Sequence, residues 1–227
     1  MLVGAAVLMA GLTAYGWTTL TVSPSNGLAL TPETLAGEIV RSWMTVFLFA
    51  GIFAALLYTR DAGSGGLARS VLAAGSRQRL FAVKMAAATI VGLGFGVLAV
   101  VGAVGSTFGL ARWQQVDIEW TSEVTWTALG VFLTCPLAAL FGLAVGMIVR
   151  NTAGAIGVLL VTTLLLEPGL QRLAPEQAKY LFTIALSGVY RDHGQVLSMA
   201  SGAITAGLWI AVLAIVARYR LMTRDVT

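Results

Sequence analysis

The sequence has one cysteine and one histidine among 227 residues. Cys135 alone cannot close an internal disulfide, is too few for a cysteine-based metal site, and leaves the redox compartment undetermined. His193 alone removes any paired-histidine metal motif. It follows Asp192, and one histidine beside one acid is no catalytic arrangement without a nucleophile. Charge is also scarce. Only 11% of residues are Asp, Glu, Lys or Arg, against about 25% in soluble domains. No apolar segment holds two buried charges, which disfavours an ion-coupled transporter, because those work through intramembrane acids or histidines. No Ser/His pair, paired Asp or metal set falls inside the apolar segments either. An enzyme acting within the membrane is therefore unsupported, and no catalytic or metal residue is assigned.

Apolar residues are abundant instead. They make up 58% of the chain, and the mean hydropathy is +0.87. A water-soluble chain of this length could not hide so much apolar surface, so the solvent must be largely lipid. A single all-α domain over residues 1–227 is expected. A bilayer core needs roughly 20 apolar helical residues, and six segments qualify: about Leu2–Val22, Val40–Tyr58, Met85–Leu110, Val124–Val149, Thr152–Leu166 and Ala200–Ala217. Each is read as a helix, because unpaired backbone is costly in lipid. A secretory signal needs a positive leader and a shorter apolar core, so the first segment is read as a span.

If the first span starts in the cytoplasm, nine Lys and Arg and two Asp fall on the inner side. The outer side then has five basic and eight acidic residues. The positive-inside rule selects this orientation, with both termini cytoplasmic. The outer segment at about 167–199 contains YLFTIALSGVY (Tyr180–Tyr190), which is apolar but too short to cross. Runs of that length read as re-entrant elements, and terminal tyrosines suit a membrane–water boundary.

The inner loop at about 59–84 reads TRDAGSGGLARSVLAAGSRQRLFAVK. Its GSGG run is not a phosphate cradle. A P-loop needs Gly-x-x-x-x-Gly-Lys-Ser/Thr after a strand, and Arg69 stands where the lysine belongs. Leu67, Val71 and Ala74 fall at helical spacing on one face, and Gly75 is placed to end such a helix. Arg77, Arg79 and Lys84 precede the third span, where long basic side chains reach lipid headgroups or a partner. Within that span Gly92 and Gly96 form a G-x-x-x-G helix-packing pair.

This loop resembles the cytoplasmic loop of ATP-binding-cassette (ABC) type 2 exporter permeases. The resemblance rests on Arg69, Leu72, Gly75, Arg77, Arg79, Ala82 and Lys84, which fit that family's short R-x-x-L helix, small-residue turn, basic pair and A-x-K entry. A second block, FGLAVGMIVRNTAGAIGVLLVTTLLLEPGL (Phe141–Leu170), is similar to the family's small-residue fourth span, its inner turn, and a fifth span closing in an acid and a proline. Many members open with a basic amphipathic elbow helix. None precedes the first span here, so no residue is assigned an elbow's contacts.

The resemblance implies a bacterial plasma-membrane permease of six spans with a re-entrant outer segment, paired with a second copy or a paralogue. It implies binding to separate ATPase subunits. No cofactor is expected on this chain itself, with ATP and Mg held by the partner, and nucleic acid is not expected as a partner. Leu67, Arg69, Val71 and Leu72 would form the helix that couples to the ATPase. Arg77, Arg79 and Lys84 would touch the membrane surface or partner. Met44 and Phe47 could line a cavity, although at helical spacing packing is the plainer reading. Glu167 with Pro168 would be structural or gating, with Glu167 capping the helix that restarts after Pro168. Glu38 and Arg41 read as a boundary ion pair. An amphipathic substrate suits an uncharged apolar cavity. A non-catalytic scaffold or channel-like subunit is the alternative.

Overall fold

The computed structural model describes residues 1–22, 32–63, 66–115, 117–192 and 197–223. Among them the fold is helical, without strands. The helices are α1 (Leu2–Val22), α2 (Pro32–Ser42), α3 (Val46–Gly63), α4 (Leu67–Ala74), α5 (Arg77–Gln114), α6 (Ser122–Val149), α7 (Thr152–Val161), α8 (Glu167–Leu173), α9 (Pro175–Ala178), α10 (Phe182–Val189) and α11 (Met199–Thr223). A 3-10 turn at Trp43–Thr45 joins α2 to α3, and a π-helical segment at Thr162–Leu166 joins α7 to α8.

Among the described residues, five helical units are long and apolar enough to cross a membrane: Thr34–Gly63, Arg77–Trp113, Ser122–Val149, Thr152–Leu173 and Met199–Thr223. Helix α1 is apolar over Leu2–Trp17, the part of it whose side chains are described. Several boundaries differ from the expected spans. The second span runs on to Gly63 and the final one to Thr223. The second span starts earlier, because the 3-10 turn carries the chain from α2 into α3 without a break. The third span starts at Arg77, so the basic triplet lies on the helix rather than in a loop. The fifth runs on through Pro168. Pro168 follows directly on the π-helical segment Thr162–Leu166, within one continuous helical unit.

Helix α6 is the central post, in contact with α2, α3, α5, α7, α10 and α11. Small residues let its backbone touch its neighbours. A Cβ built on Gly142 would lie 2.1 Å from the Gly51 carbonyl oxygen of α3. On the other flank a Cβ on Gly92 of α5 would lie 2.4 Å from the Cα of Pro136. One on Gly96 would lie 2.8 Å from the Phe132 oxygen. The expected Gly92/Gly96 face therefore packs on α6. Pro136 has no N–H to offer Phe132 one turn back, so α5 presses its barest backbone against the carbonyl that the proline leaves undonated.

Helix α1 turns Ala6, Ala10 and Ala14 inward, all fully buried, while Leu8 and Leu12 are exposed. On α5, Ile90, Val97, Val101 and Phe108 are likewise exposed. Apolar surface on this scale is anomalous in water and ordinary against lipid.

Candidate functional site

The C-termini of α3, α6 and α11 meet the N-termini of α5 and α7 at one end of the bundle. Thr152 of α7 donates to the Thr59 hydroxyl of α3 at 3.1 Å. The C-termini of α6 and α11 each receive a cation from a neighbouring helix, and a third cation bonds a carbonyl about two turns before the end of α3. Lys84 of α5 donates to the Leu57 carbonyl of α3 at 2.6 Å. Arg220 of α11 donates to Ile148 O of α6 at 2.9 Å. Arg77 of α5 donates to Leu221 O and Met222 O of α11 at 3.1 and 3.0 Å. The last carbonyls of a helix lack intrahelical donors and carry the negative end of its dipole. Much of the basic character at this end is therefore spent on closing helix ends.

Two of the basic triplet have partners within the chain. Lys84 also pairs with Asp61 at 2.6 Å, and its side chain is only 16% exposed. Lys84 bonds Asp61 and the Leu57 carbonyl, and Arg77 bonds the last carbonyls of α11. Arg79 alone of the three is exposed.

Helix α4 lies across the same end, over the residues where spacing places it. Leu67 is 4% exposed and Leu72 is 80% exposed. Ser70, Val71 and Ala74 are half-buried, whereas Ala68, Arg69, Leu72 and Ala73 face outward. Gly75 ends the helix in the left-handed region (φ 76°), with its N–H on the Leu72 carbonyl at 3.2 Å. Ser76 then caps α5 by accepting from the Arg79 N–H at 3.2 Å. The outward face of α4 thus shows one cation and one large apolar side chain, held on a short helix with a sharp stop.

The opposite end carries the acids. The expected Glu38–Arg41 ion pair is formed. Arg41 also donates through Nε to the Arg191 carbonyl at 3.1 Å, and Arg191 pairs with Glu123 at 2.7 Å. These bonds tie α2, the turn after α10 and the start of α6 together. His193 lies outside the described residues. Tyr180 is 53% exposed. Tyr190 is buried, and that burial, with Asp192 nearby, pushes its phenol well above the ordinary range.

Glu167 is 3% exposed. It caps a helix, but not the one after Pro168. Its carboxylate accepts the backbone N–H groups of Thr183 at 2.7 Å and Ile184 at 3.2 Å, in the first turn of α10. The π segment accounts for the difference. The Glu167 N–H reaches back to Thr162 O, one residue farther than in an α-helix, and the added residue alters which way the next side chains face.

Phe47 is buried in the core beside Gly51, Phe141 and Phe182, around a gap of only about 10 Å³. Met44 is half-buried against the same core. Among the described residues, Phe47 packs around this small gap and Met44 packs on the core beside it. The larger recesses are surface grooves. One of about 460 Å³ lies between α5 and α6, lined by Val97, Val101, Val104, Trp120, Leu129 and Phe132 among others. Another of about 370 Å³ lies between α1, α3 and α5 at Val3, Phe53 and Phe95. Their linings carry no charged side chain, whereas a third recess of about 430 Å³ beside Trp126 and Met199 is lined in part by Arg191 and Asp192.

Compared with protein families, curated proteins and solved structures, the chain matches none. The helical bundle with its membrane-length helices and the short α4 are thus the grounds for a functional reading. Among the described residues no cluster of acids, cysteines or histidines could hold a metal ion. Sequence reading missed Asp61, Ser70 and Arg220. Each acts through a partner distant in the chain, and spacing carries no signal of such pairs.

Proposed function

We propose that this chain is the membrane-spanning permease subunit of an ATP-driven exporter of the ABC type 2 kind. It would work as a dimer with separate ATPase subunits, and α1 would supply the sixth span. The observation that carries the reading is α4. It is a short helix at the basic end, with Leu67 inward and Arg69 and Leu72 outward, placed between two membrane-length helices. That is the form of a lever that a soluble motor could push. Force on α4 would reach α3 and α5, the helices it joins, and would tilt them against α6.

In this reading the α4 end faces the cytoplasm of a bacterial cell, as the positive-inside rule requires. The α8–α10 segment forms the re-entrant outer element, with Glu167 holding α10 in place. ATP and Mg bind only to the motor. The passage forms between two copies or paralogues, since Phe47 and Met44 pack closely within one chain. The uncharged grooves favour an amphipathic cargo.

The test is copurification. A soluble ATPase should come down with the chain, and its ATP hydrolysis should depend on it. Arg69→Glu with Leu72→Glu should break that dependence while the permease stays folded. If no ATPase copurifies, a scaffold or channel-like subunit becomes the better reading. Unaltered coupling in the double variant removes α4 from the mechanism.

A further inference from the structure

Helix α4 has only eight residues, and a helix that short does not hold its shape alone in water. Its buried apolar anchor, Leu67, lies at its first turn. Val71 and Ala74 on the same face are only half-buried, so apolar contact holds α4 weakly beyond its first turn. The side-chain bond from α4 into the bundle comes one turn later. Ser70 donates its hydroxyl to Oδ2 of Asp61, in the last turn of α3, at 3.2 Å. The same oxygen accepts from the Lys84 ammonium of α5 at 2.6 Å. Lys84 in turn reaches Leu57 O, one turn back along α3. A single carboxylate oxygen therefore joins three helices.

We infer that Asp61 is a positioning residue that keys α4 to the ends of α3 and α5, so that a displacement of α4 moves both long helices together. The direction of force rests on the permease reading, but the three-way junction does not. Charge-assisted bonds are the stronger and more directional kind. Lys84 is mostly buried beside Asp61, where water screens the pair less than at an open surface. Removing Asp61 leaves Lys84 on its Leu57 carbonyl, so the α3–α5 contact persists while Ser70 loses its acceptor. The variant should release α4 selectively. A merely stabilising ion pair would instead lower overall stability and leave α4 where it is.

The experiment uses a Cys135→Ala background with spin labels on Leu72→Cys of α4 and Val83→Cys of α5, both exposed positions. Their separation is measured by dipolar electron paramagnetic resonance in lipid nanodiscs. The parent should give one narrow distance peak. Asp61→Ala should lose it to a broad distribution. Ser70→Ala, which removes only the α4 arm, should broaden it in the same direction, and the exposed Arg79→Ala should keep it narrow. A narrow peak in both Asp61→Ala and Ser70→Ala overturns the inference, as does equal broadening by Arg79→Ala. If Asp61→Ala does not fold, Ser70→Ala decides. No ATPase is present in this measurement, so its outcome is separate from that of the copurification test.

Discussion

Glu167→Ala offers a quantitative test of how the acid end is held. The carboxylate accepts two backbone N–H groups in the first turn of α10 and is itself buried. Alanine removes the acceptor and leaves both donors in an apolar setting. A buried donor without a partner costs about 1–3 kcal/mol, and loss of an N-terminal cap costs about 0.5–2 kcal/mol. These figures describe the same bonds, so they do not add. The expected destabilisation is about 1–3 kcal/mol, reduced somewhat because the variant no longer buries an acid. Glu167→Gln keeps an acceptor oxygen and should lose less than half as much. The assays are denaturant unfolding in detergent and hydrogen exchange at Thr183 and Ile184. Exchange at both amides should rise in the alanine variant and stay near the parent's in the glutamine variant. Equal stability for all three proteins, with unchanged exchange, would refute the cap.

Further outcomes follow from the same packing and charge. Gly142→Ala places a Cβ 2.1 Å from the Gly51 oxygen and should cost about 1–3 kcal/mol by overpacking. Gly94→Ala and Gly105→Ala meet nothing within 4 Å and should be neutral or slightly stabilising, as thermal unfolding will tell. Arg77→Ala should raise hydrogen exchange near the end of α11, by roughly 1 kcal/mol of local stability, whereas Arg79→Ala should not. Burial and Asp192 raise the Tyr190 phenol, so its contribution to stability is complete below the unfolded tyrosine pKa of about 10 and declines as pH rises above it. The absorbance titration at alkaline pH, taken as parent minus Tyr190→Phe, should have its midpoint above that of free tyrosine. An ordinary midpoint would contradict the burial.

What the sequence discloses here is local. Leu67, Val71 and Ala74 at helical spacing, followed by Gly75, are enough to place α4, because a short helix is defined by its own face and stop. Gly92 and Gly96 mark the α5–α6 contact for the same reason, since small residues four apart make a groove whatever fills it. The basic triplet is ambiguous in the sequence, because charge alone does not say whether a cation faces water or a carbonyl. Lys84 meets Leu57 and Arg77 meets Leu221 across long stretches of chain, and only the bundle brings them together. Glu167 is legible as a cap but not as the cap of α10. That depends on one added residue in the π segment, which composition does not reveal.

The proposed function requires the α4 end to face the cytoplasm. In the Cys135→Ala background, Leu72→Cys marks that end and Leu173→Cys, 84% exposed at the end of α8, marks the other. A membrane-impermeant maleimide is applied to intact cells and to permeabilised ones. Leu173→Cys should label in intact cells, and Leu72→Cys only after permeabilisation. Strong labelling of Leu72→Cys from outside intact cells would contradict the account.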